Sequence, residues 1–158
     1  MREHLGDLNL YQTKPGQGLL RQFGGCPVIL GTGIDAVGIQ RVKNLGEAFI
    51  NKVYSPAEIE QYKALENAHE DIRAQFLASR FAVKEAYAKA RGTGFSDIVI
   101  PSDITTCSDD SGRPFIELSG KTLDNAPLSV IHLTLTHEMP LAIAMVVLES
   151  VECSDGAQ

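Results

Sequence analysis

The stretch Phe81-Ala-Val-Lys-Glu-Ala-Tyr-Ala-Lys-Ala90, which continues as Arg91-Gly-Thr-Gly94, decides the fold of this 158-residue chain. It is rich in helix formers, and its first glycine predicts where the helix ends. Glu85 and Lys89 are four residues apart and share one helix face, whereas Lys84 points about 100° away. A carboxylate and an ammonium beside a Gly-rich turn suit a site for a metal and a phosphate. They also suit an exposed ion pair, which this spacing commonly forms.

Other helical and strand patterns fill the first half of the chain. The helical period extends back from this stretch and predicts one long helix over 71–91. Ser55-Pro-Ala-Glu58 is a helix start, with an N-cap serine, a proline at the first position and a reciprocal glutamate. Residues 28–35 predict a buried strand that ends on Asp35, and apolar residues at helical spacing over 37–53 predict an amphipathic helix after it.

The second half of the chain changes to an alternating, strand-like pattern. Strands are predicted at 98–100, 104–107, 115–118, 131–137 and 141–149, with a turn at 109–114 and a short helix over 119–126. We therefore predict an α+β domain at 27–151, in which a mostly antiparallel sheet carries the long helix on one face. Residues 1–26 are a predicted peripheral or disordered extension, and 152–158 are a C-terminal tail.

Composition and charge narrow the class of protein. The chain is 44% hydrophobic and 22% charged, which is ordinary for one globular domain of this length. Its net charge of −6 argues against a generic nucleic-acid binder, which is normally basic. Three distant cysteines, Cys26, Cys107 and Cys153, suggest neither a zinc site nor a disulfide framework. Without a secretory signal or an apolar run of about 20 residues, we expect a cytoplasmic protein with no membrane segment.

Three further features carry polar groups with a chemical use. Asp35 follows an apolar strand, where it either caps the next helix or binds a cation in a partly buried site. Thr134-Leu-Thr-His137 either binds a phosphate or forms the solvated face of an edge strand. Arg80, on the long helix, is either a phosphate contact or a surface arginine. Dinucleotide, Walker, Gly-x-Ser-x-Gly and His-x-x-x-His patterns are absent from the sequence.

Taken in order, these segments resemble one family of small enzymes. A strand ending Gly-x-Gly-Ile-Asp35, then Arg80-Phe-Ala-x-Lys-Glu-Ala-x-x-Lys-Ala-x-Gly-Thr-Gly94, then Thr-x-Thr-His137 is similar to the holo-acyl-carrier-protein synthases. The resemblance covers about residues 28–150, and the length of the central motif makes a chance match improbable. Members of the family transfer 4′-phosphopantetheine from coenzyme A to a serine of an acyl carrier protein and release adenosine 3′,5′-bisphosphate.

The resemblance implies a role for each matching residue. Asp35 and Glu85 are the expected ligands of Mg²⁺, a hard cation that binds one or two carboxylates, waters and substrate phosphates. Glu85 is also the expected base for the serine proton, preferably through a metal-bound water, since an unperturbed glutamate has a pKa of about 4.3. Lys89 is expected to contact the charge that develops on the phosphate. Gly92 and Gly94 would let the backbone approach coenzyme A.

The resemblance also implies further contacts and an assembly. Arg80, Thr136 and His137 are the next candidates for contacts to the phosphates of coenzyme A. Small members of the family are homotrimers, with the active site in a cleft between neighbouring protomers. The acyl carrier protein would dock on the segment after Asp35, through Arg41.

The chain departs from the family pattern in two features. Its docking segment keeps Arg41 but adds only Lys43 and Lys52, opposed by Glu47, where the family presents several arginines to an acidic carrier. The partner is therefore either the carrier protein of fatty-acid synthesis or one dedicated to a polyketide or other secondary pathway. The N-terminal extension is the second departure. Because this segment has few basic residues, an alternative function also remains: a catalytically weak homologue that binds coenzyme A or a carrier protein as an interaction module.

Overall fold

The structure is a computed structural model that describes residues 28–151, so the predicted extension at 1–26 and tail at 152–158 lie outside the described residues. Its elements are, in chain order, β1 (Ile29–Gly38), a 3₁₀ turn (Ile39–Val42), α1 (Glu47–Val53), α2 (Pro56–Ala64), α3 (Glu70–Ala90), a 3₁₀ turn (Pro101–Asp103), β2 (Ile104–Ser108), β3 (Pro114–Leu118), α4 (Gly120–Asp124), β4 (Ser129–Glu138) and β5 (Leu141–Ser150). None of the helices within 28–151 has the length and apolar character needed to cross a membrane.

The strands form two antiparallel sheets rather than the one sheet predicted. The larger sheet has the order β1-β5-β4, with the last two strands joined as the predicted hairpin. The smaller sheet is the hairpin β2-β3, paired from Ile104 opposite Leu118 to Ser108 opposite Pro114. The α+β class and the antiparallel pairing are confirmed, and the division into two sheets is a correction that alternation alone does not reveal.

Helix α3 packs along one face of the larger sheet and forms the centre of the core. Its alanines at 78, 82 and 86 are fully buried, and they let the helix lie close to the strands. On the sheet, Ala144 and Val146 of β5 are equally buried beneath it. The prediction of a long helix on one face of an antiparallel sheet is therefore confirmed.

The predicted helix start and helix end follow their local sequence signals. The Ser55 hydroxyl accepts the Glu58 amide at 3.3 Å, and the Glu58 carboxylate accepts the Ser55 amide at 3.0 Å. This reciprocal pair begins α2 where the capping-box pattern predicts it. At the other end of the helical region, Gly92 follows α3 with a φ of +71°, a conformation that glycine adopts without strain.

The amphipathic helix predicted over 37–53 is wrong as a single element. Val37 belongs to β1, the next four residues after Gly38 form a 3₁₀ turn, and α1 begins only after Gly46. Glycine disfavours a continuous helix at this point. Val42 and Val53 both face the core, as the apolar spacing predicts. The residues at this spacing belong, however, to three separate elements.

Two predictions about strands also need correction. Strand β1 continues past Asp35 to Gly38, so this carboxylate neither ends the strand nor caps a helix. Residues 98–100 do not form a strand. The amide of Ile100 donates instead to the hydroxyl of Thr122 at 2.8 Å, and a 3₁₀ turn begins at Pro101.

Candidate active site

A lysine from the last turn of α3 joins a carboxylate in the middle of β1. The Nζ atom of Lys89 lies 2.7 Å from Oδ1 of Asp35 and 2.9 Å from the carbonyl oxygen of Ile34, and it donates to both. The Asp35 side chain is 17% exposed, whereas the Lys89 side chain is half exposed. The pair therefore lies at the solvent edge of the helix–sheet contact, where a substrate can reach it.

Glu85 lies one helical turn before Lys89 and belongs to the same charged group. Partial burial raises the pKa of Glu85, the negative charge of Asp35 raises it further, and Lys89 lowers it in part. The two carboxylates are thus close enough to repel each other. A pair of carboxylates that disfavour each other's charge attracts a cation.

Two glycines bring β1 and α3 into unusually close contact next to this group. A Cβ atom built on Gly33 would lie 2.0 Å from the carbonyl oxygen of Ala86, and one built on Gly31 would lie 2.0 Å from that of Ala90. No side chain fits at either position unless the strand or the helix moves. The helix and strand patterns of the sequence do not predict this contact. Its signal is a pair of glycines two residues apart on a strand, opposite alanines four residues apart on a helix.

The donor set fits Mg²⁺. Within residues 28–151, no three or more His, Cys, Asp or Glu side chains form a group that could hold a metal ion. Two carboxylates suffice for Mg²⁺, which keeps several waters and completes its coordination with substrate phosphates. The ammonium of Lys89 already lies against Asp35 as a stand-in cation. Asp35 and Glu85 are therefore suited to hold a divalent ion that arrives together with a phosphate substrate.

Thr136 and His137 lie on opposite faces of the larger sheet. In register across the three strands, His137 aligns with Ala142 and Val37, on the face that carries α3. Thr136 is the next residue along β4 and points to the outer face. The Thr-x-Thr-His row is thus not one polar face, because successive residues of a strand alternate. Of the two, only His137 shares its face with Asp35.

Arg80 lies on another side of α3 from Glu85. Five residues along a helix turn the side chain by about 140°. The guanidinium of Arg80 lies 4.0 Å from the centre of the Phe76 ring. Burial lowers the pKa of Arg80, and the nearby Glu58 and Cys107 raise it in part. A contact between Arg80 and the same phosphate that Lys89 meets is therefore not supported within one chain.

Gly92 and Gly94 form the turn after α3, and their amides are already used. The Gly92 amide donates to the Lys89 carbonyl at 2.9 Å, and the Gly94 amide donates to the Ala88 carbonyl at 3.2 Å. Both residues have positive φ, +71° and +62°, and no atoms crowd the position of a Cβ. What they offer a ligand is open space beside the helix end rather than two free donors.

A second ion pair, which no local sequence pattern predicts, lies inside the core on the far side of α3. Lys84 and Glu58 are fully buried, and their charged atoms lie 2.6 Å apart. The Lys84 ammonium also donates to the carbonyls of Pro101, at 3.1 Å, and Ile104. The Glu58 carboxylate accepts the amide of Thr106 at 3.0 Å. The pair therefore ties α2, α3 and β2 together.

The outer face of the larger sheet is open to solvent in the single chain, and it is mostly apolar along β1 and β5, whereas β4 adds polar side chains to it. Ile34 is 59% exposed and Met145 is 41% exposed, and they are paired in register across β1 and β5. The same face carries Ala36, Ile143 and Val147. A sheet face of this composition is normally covered by another layer.

The segment after β1 carries less free positive charge than its sequence indicates. Lys43 forms an ion pair with Asp71 at 2.6 Å and a longer one with Glu70 at 3.6 Å. Arg41 and Lys52 are both exposed. The two residues that keep their charge available on this segment are therefore Arg41 and Lys52.

Comparison with known sequences identifies relatives along most of the described region. A model of the 4′-phosphopantetheinyl transferase superfamily matches residues 31–145. The holo-[acyl-carrier-protein] synthase of Aliivibrio salmonicida is 41% identical over 129 residues, which are 77% of this chain and 98% of the relative. The synthase of the same name from Halothermothrix orenii is 40% identical over 127 residues, 76% of this chain and 97% of the relative.

Solved structures with the same architecture include complexes with coenzyme A. The holo-(acyl-carrier-protein) synthase of Bacillus anthracis, in complex with CoA (3′,5′-ADP), superposes with a TM-score of 0.66 and 34% identity, covering 77% of this chain and 97% of that one. The Helicobacter pylori synthase in complex with coenzyme A has a TM-score of 0.61 and 28% identity, covering 74% and 98% of the two chains.

Proposed function

The chain belongs to the 4′-phosphopantetheinyl transferase superfamily, and we propose from that premise how its described side chains carry out the reaction. The protein is a transferase that moves 4′-phosphopantetheine from coenzyme A to an acyl carrier protein, and coenzyme A is its co-substrate. The metal, the roles of individual residues, the docking surface and the assembly are our proposals. The observation that carries the metal and the residue roles is the group of Asp35, Glu85 and Lys89 at the edge of the contact between β1 and α3.

The proposed chemistry is an in-line displacement at phosphorus. A serine oxygen of the carrier protein attacks the phosphorus that bears the pantetheine arm, and the bond from that phosphorus to the bridging oxygen breaks. The bridging oxygen leaves with adenosine 3′,5′-bisphosphate, and the serine proton passes to a base. In reactions of this type the protein contributes mainly position and charge.

Asp35 and Glu85 would hold Mg²⁺ against the pyrophosphate of coenzyme A. When bound, the ion neutralises the phosphate oxygens and makes the phosphorus more electrophilic. Glu85 would also act as the base for the serine proton, directly or through a water.

Lys89 would move from Asp35 to the phosphate when the substrate arrives. Its side chain is half exposed, so the ammonium has room to turn toward solvent. There it would stabilise the charge that develops on the phosphoryl oxygens and on the leaving group. His137 shares the face of Asp35 and stays a candidate for a coenzyme phosphate within the same chain. Arg80 and Thr136 point elsewhere, so in this proposal they serve a coenzyme bound to a neighbouring protomer.

We place the carrier protein on the segment after β1, through Arg41. Since Asp71 and Glu70 neutralise Lys43, this surface is only weakly positive. Docking on it should depend less on salt than docking on a strongly basic surface, because less charge is brought together. Carriers of fatty-acid synthesis and of secondary pathways both fit this description.

We further propose that the protein is a homotrimer assembled through the outer face of the larger sheet. Ile34 and Met145 are exposed in the single chain, and Ala36, Ile143 and Val147 lie beside them on the same face. Self-association would remove these side chains from water, at about 25 cal/mol for each Å² buried. It would also bring Thr136, on that same face, next to a neighbouring protomer.

The release of adenosine 3′,5′-bisphosphate tests the proposed reaction. It should require coenzyme A, a carrier protein and Mg²⁺ together, and a chelator should abolish it. Tight binding of coenzyme A in a calorimeter without any release would favour the interaction module. Release of phosphate from nucleotides without a carrier would instead identify a phosphohydrolase.

A further inference from the structure

The contact between β1 and α3 is closest beside the proposed cation site. At Gly33, an added Cβ would lie 2.0 Å from the Ala86 carbonyl oxygen, 2.6 Å from the Ala90 amide nitrogen and 2.9 Å from the Cβ of Lys89. Real Cβ atoms do not approach backbone this closely, so any larger residue forces the two elements apart. Gly33 precedes Asp35 by two residues on the same face of the strand. Lys89, whose Cβ borders Gly33, is the residue that reaches Asp35.

This contact fixes a distance that the proposed reaction depends on. Asp35 is carried by the strand and Glu85 by the helix, so the span between the two carboxylates follows from how closely the backbones approach. Mg²⁺ demands near-ideal octahedral geometry with ligand distances of about 2.0–2.1 Å. A shift of the strand by a fraction of an ångström is therefore enough to remove one ligand.

We propose that Gly33 is a positioning residue for the transfer reaction: by letting β1 touch the backbone of α3, it sets the span at which Asp35 and Glu85 share one divalent cation. The inference rests on the proposed magnesium site. It assigns no contact between Gly33 and the substrate. Gly31, with the same 2.0 Å approach to the Ala90 carbonyl, holds the far end of the same contact, about 13 Å along the strand from Asp35.

Gly31 therefore supplies a matched control for Gly33. Both G31A and G33A place a methyl group against a helix carbonyl, so both should lower the urea midpoint of unfolding. Only G33A should weaken the binding of Mn²⁺ alone, a Mg²⁺ analogue visible by electron paramagnetic resonance, by about tenfold or more. In turnover, G33A should lower kcat and leave the KM for coenzyme A nearly unchanged.

Each outcome decides the inference. Equal losses of Mn²⁺ affinity in G31A and G33A, or none in G33A, would show that the glycines act on stability alone and would overturn it. If G33A does not fold, the variant D35E in the otherwise native chain shows whether the span between the carboxylates of residues 35 and 85 is fixed or adjustable. A fixed span makes the longer side chain bind Mn²⁺ about tenfold or more weakly, whereas undiminished affinity contradicts a fixed span. If the native protein binds neither Mn²⁺ nor Mg²⁺ even when coenzyme A is present, the proposed metal fails first and this inference fails with it.

Discussion

The ammonium of Lys89 lies 2.7 Å from a carboxylate oxygen of Asp35, across the boundary between α3 and β1. The lysine thereby compensates a partly buried negative charge when no metal is bound. The same carboxylate is a proposed ligand of Mg²⁺, so lysine and metal compete for it. In the proposed mechanism, Lys89 neutralises Asp35 until a divalent ion and the phosphate of coenzyme A arrive, and the lysine then turns to that phosphate.

Replacing Lys89 by methionine should separate these two roles. Without the competing ammonium, K89M should bind Mn²⁺ more tightly in the absence of coenzyme A, by about threefold or more, because a positive charge next to Asp35 is gone. The same variant should lose transfer activity, since nothing replaces the ammonium on the phosphate. The exposed Lys63 gives the control K63M, which should change neither property. Mn²⁺ affinity that is unchanged or weaker in K89M would refute the competition.

Replacing Glu85 by glutamine should stabilise the metal-free protein at neutral pH. The folded protein raises the pKa of Glu85, so the folded state binds its proton more tightly than the unfolded state does. The free energy of unfolding contributed by this group therefore falls as pH rises from the ordinary glutamate range through the raised pKa. E85Q should accordingly melt at a higher temperature than the native protein at pH 7, and this difference should disappear at pH values below the ordinary range. E60Q, at an exposed position, is the control, and an E85Q protein that melts lower at pH 7 would contradict this reasoning.

The buried pair of Lys84 and Glu58 should matter for stability more than any surface pair. E58Q leaves the Lys84 ammonium in the core without its counter-charge, which costs about 3 kcal/mol or more in the free energy of unfolding by urea. The double variant E58Q/K84M removes the orphaned charge and should recover part of the loss. D71N breaks a partly exposed pair with Lys43 and should shift the urea midpoint much less. An effect of E58Q as small as that of D71N would mean that the pair is not closed in solution.

The outer sheet face predicts how the protein assembles. M145K places a charge beside Ile34 on the outer face and should convert the proposed trimer to monomers in sedimentation experiments. Transfer activity should fall with it if the active site lies between protomers. Ile72 is 50% exposed on α3 and lies outside this face, so I72K should leave the assembly intact. A native protein that sediments as a monomer, or an M145K variant that stays trimeric, would rule out this interface.

Sequence patterns predicted the elements well where neighbouring residues form them. The Ser55–Glu58 capping box and the Gly92 helix end are formed by neighbours in the chain, so their residues alone determine them. The resemblance likewise selected Asp35, Glu85 and Lys89, and the structure brings these three together.

The features that the sequence did not reveal depend on contacts between distant segments. Helical spacing over 37–53 could not show that three separate elements share one core. Alternation along β4 puts Thr136 and His137 on opposite faces, but only the pairing of β4 with β5 and β1 shows that His137 is on the face that carries α3. The buried Lys84–Glu58 pair joins residues 26 positions apart, and the approach of Gly33 to Ala86 joins residues 53 apart, so the short pattern at either end does not show that the two ends meet.

The most direct test of the account is the mass of a carrier protein after incubation with this enzyme, coenzyme A and Mg²⁺. The native enzyme should add one 4′-phosphopantetheine to a single serine of the carrier, and D35A and E85A should abolish the gain. The test should include carriers of fatty-acid and of polyketide type. An unmodified carrier in every case at high enzyme concentration, or an undiminished mass gain with both variants, would contradict the central claim that Asp35 and Glu85 carry out this transfer.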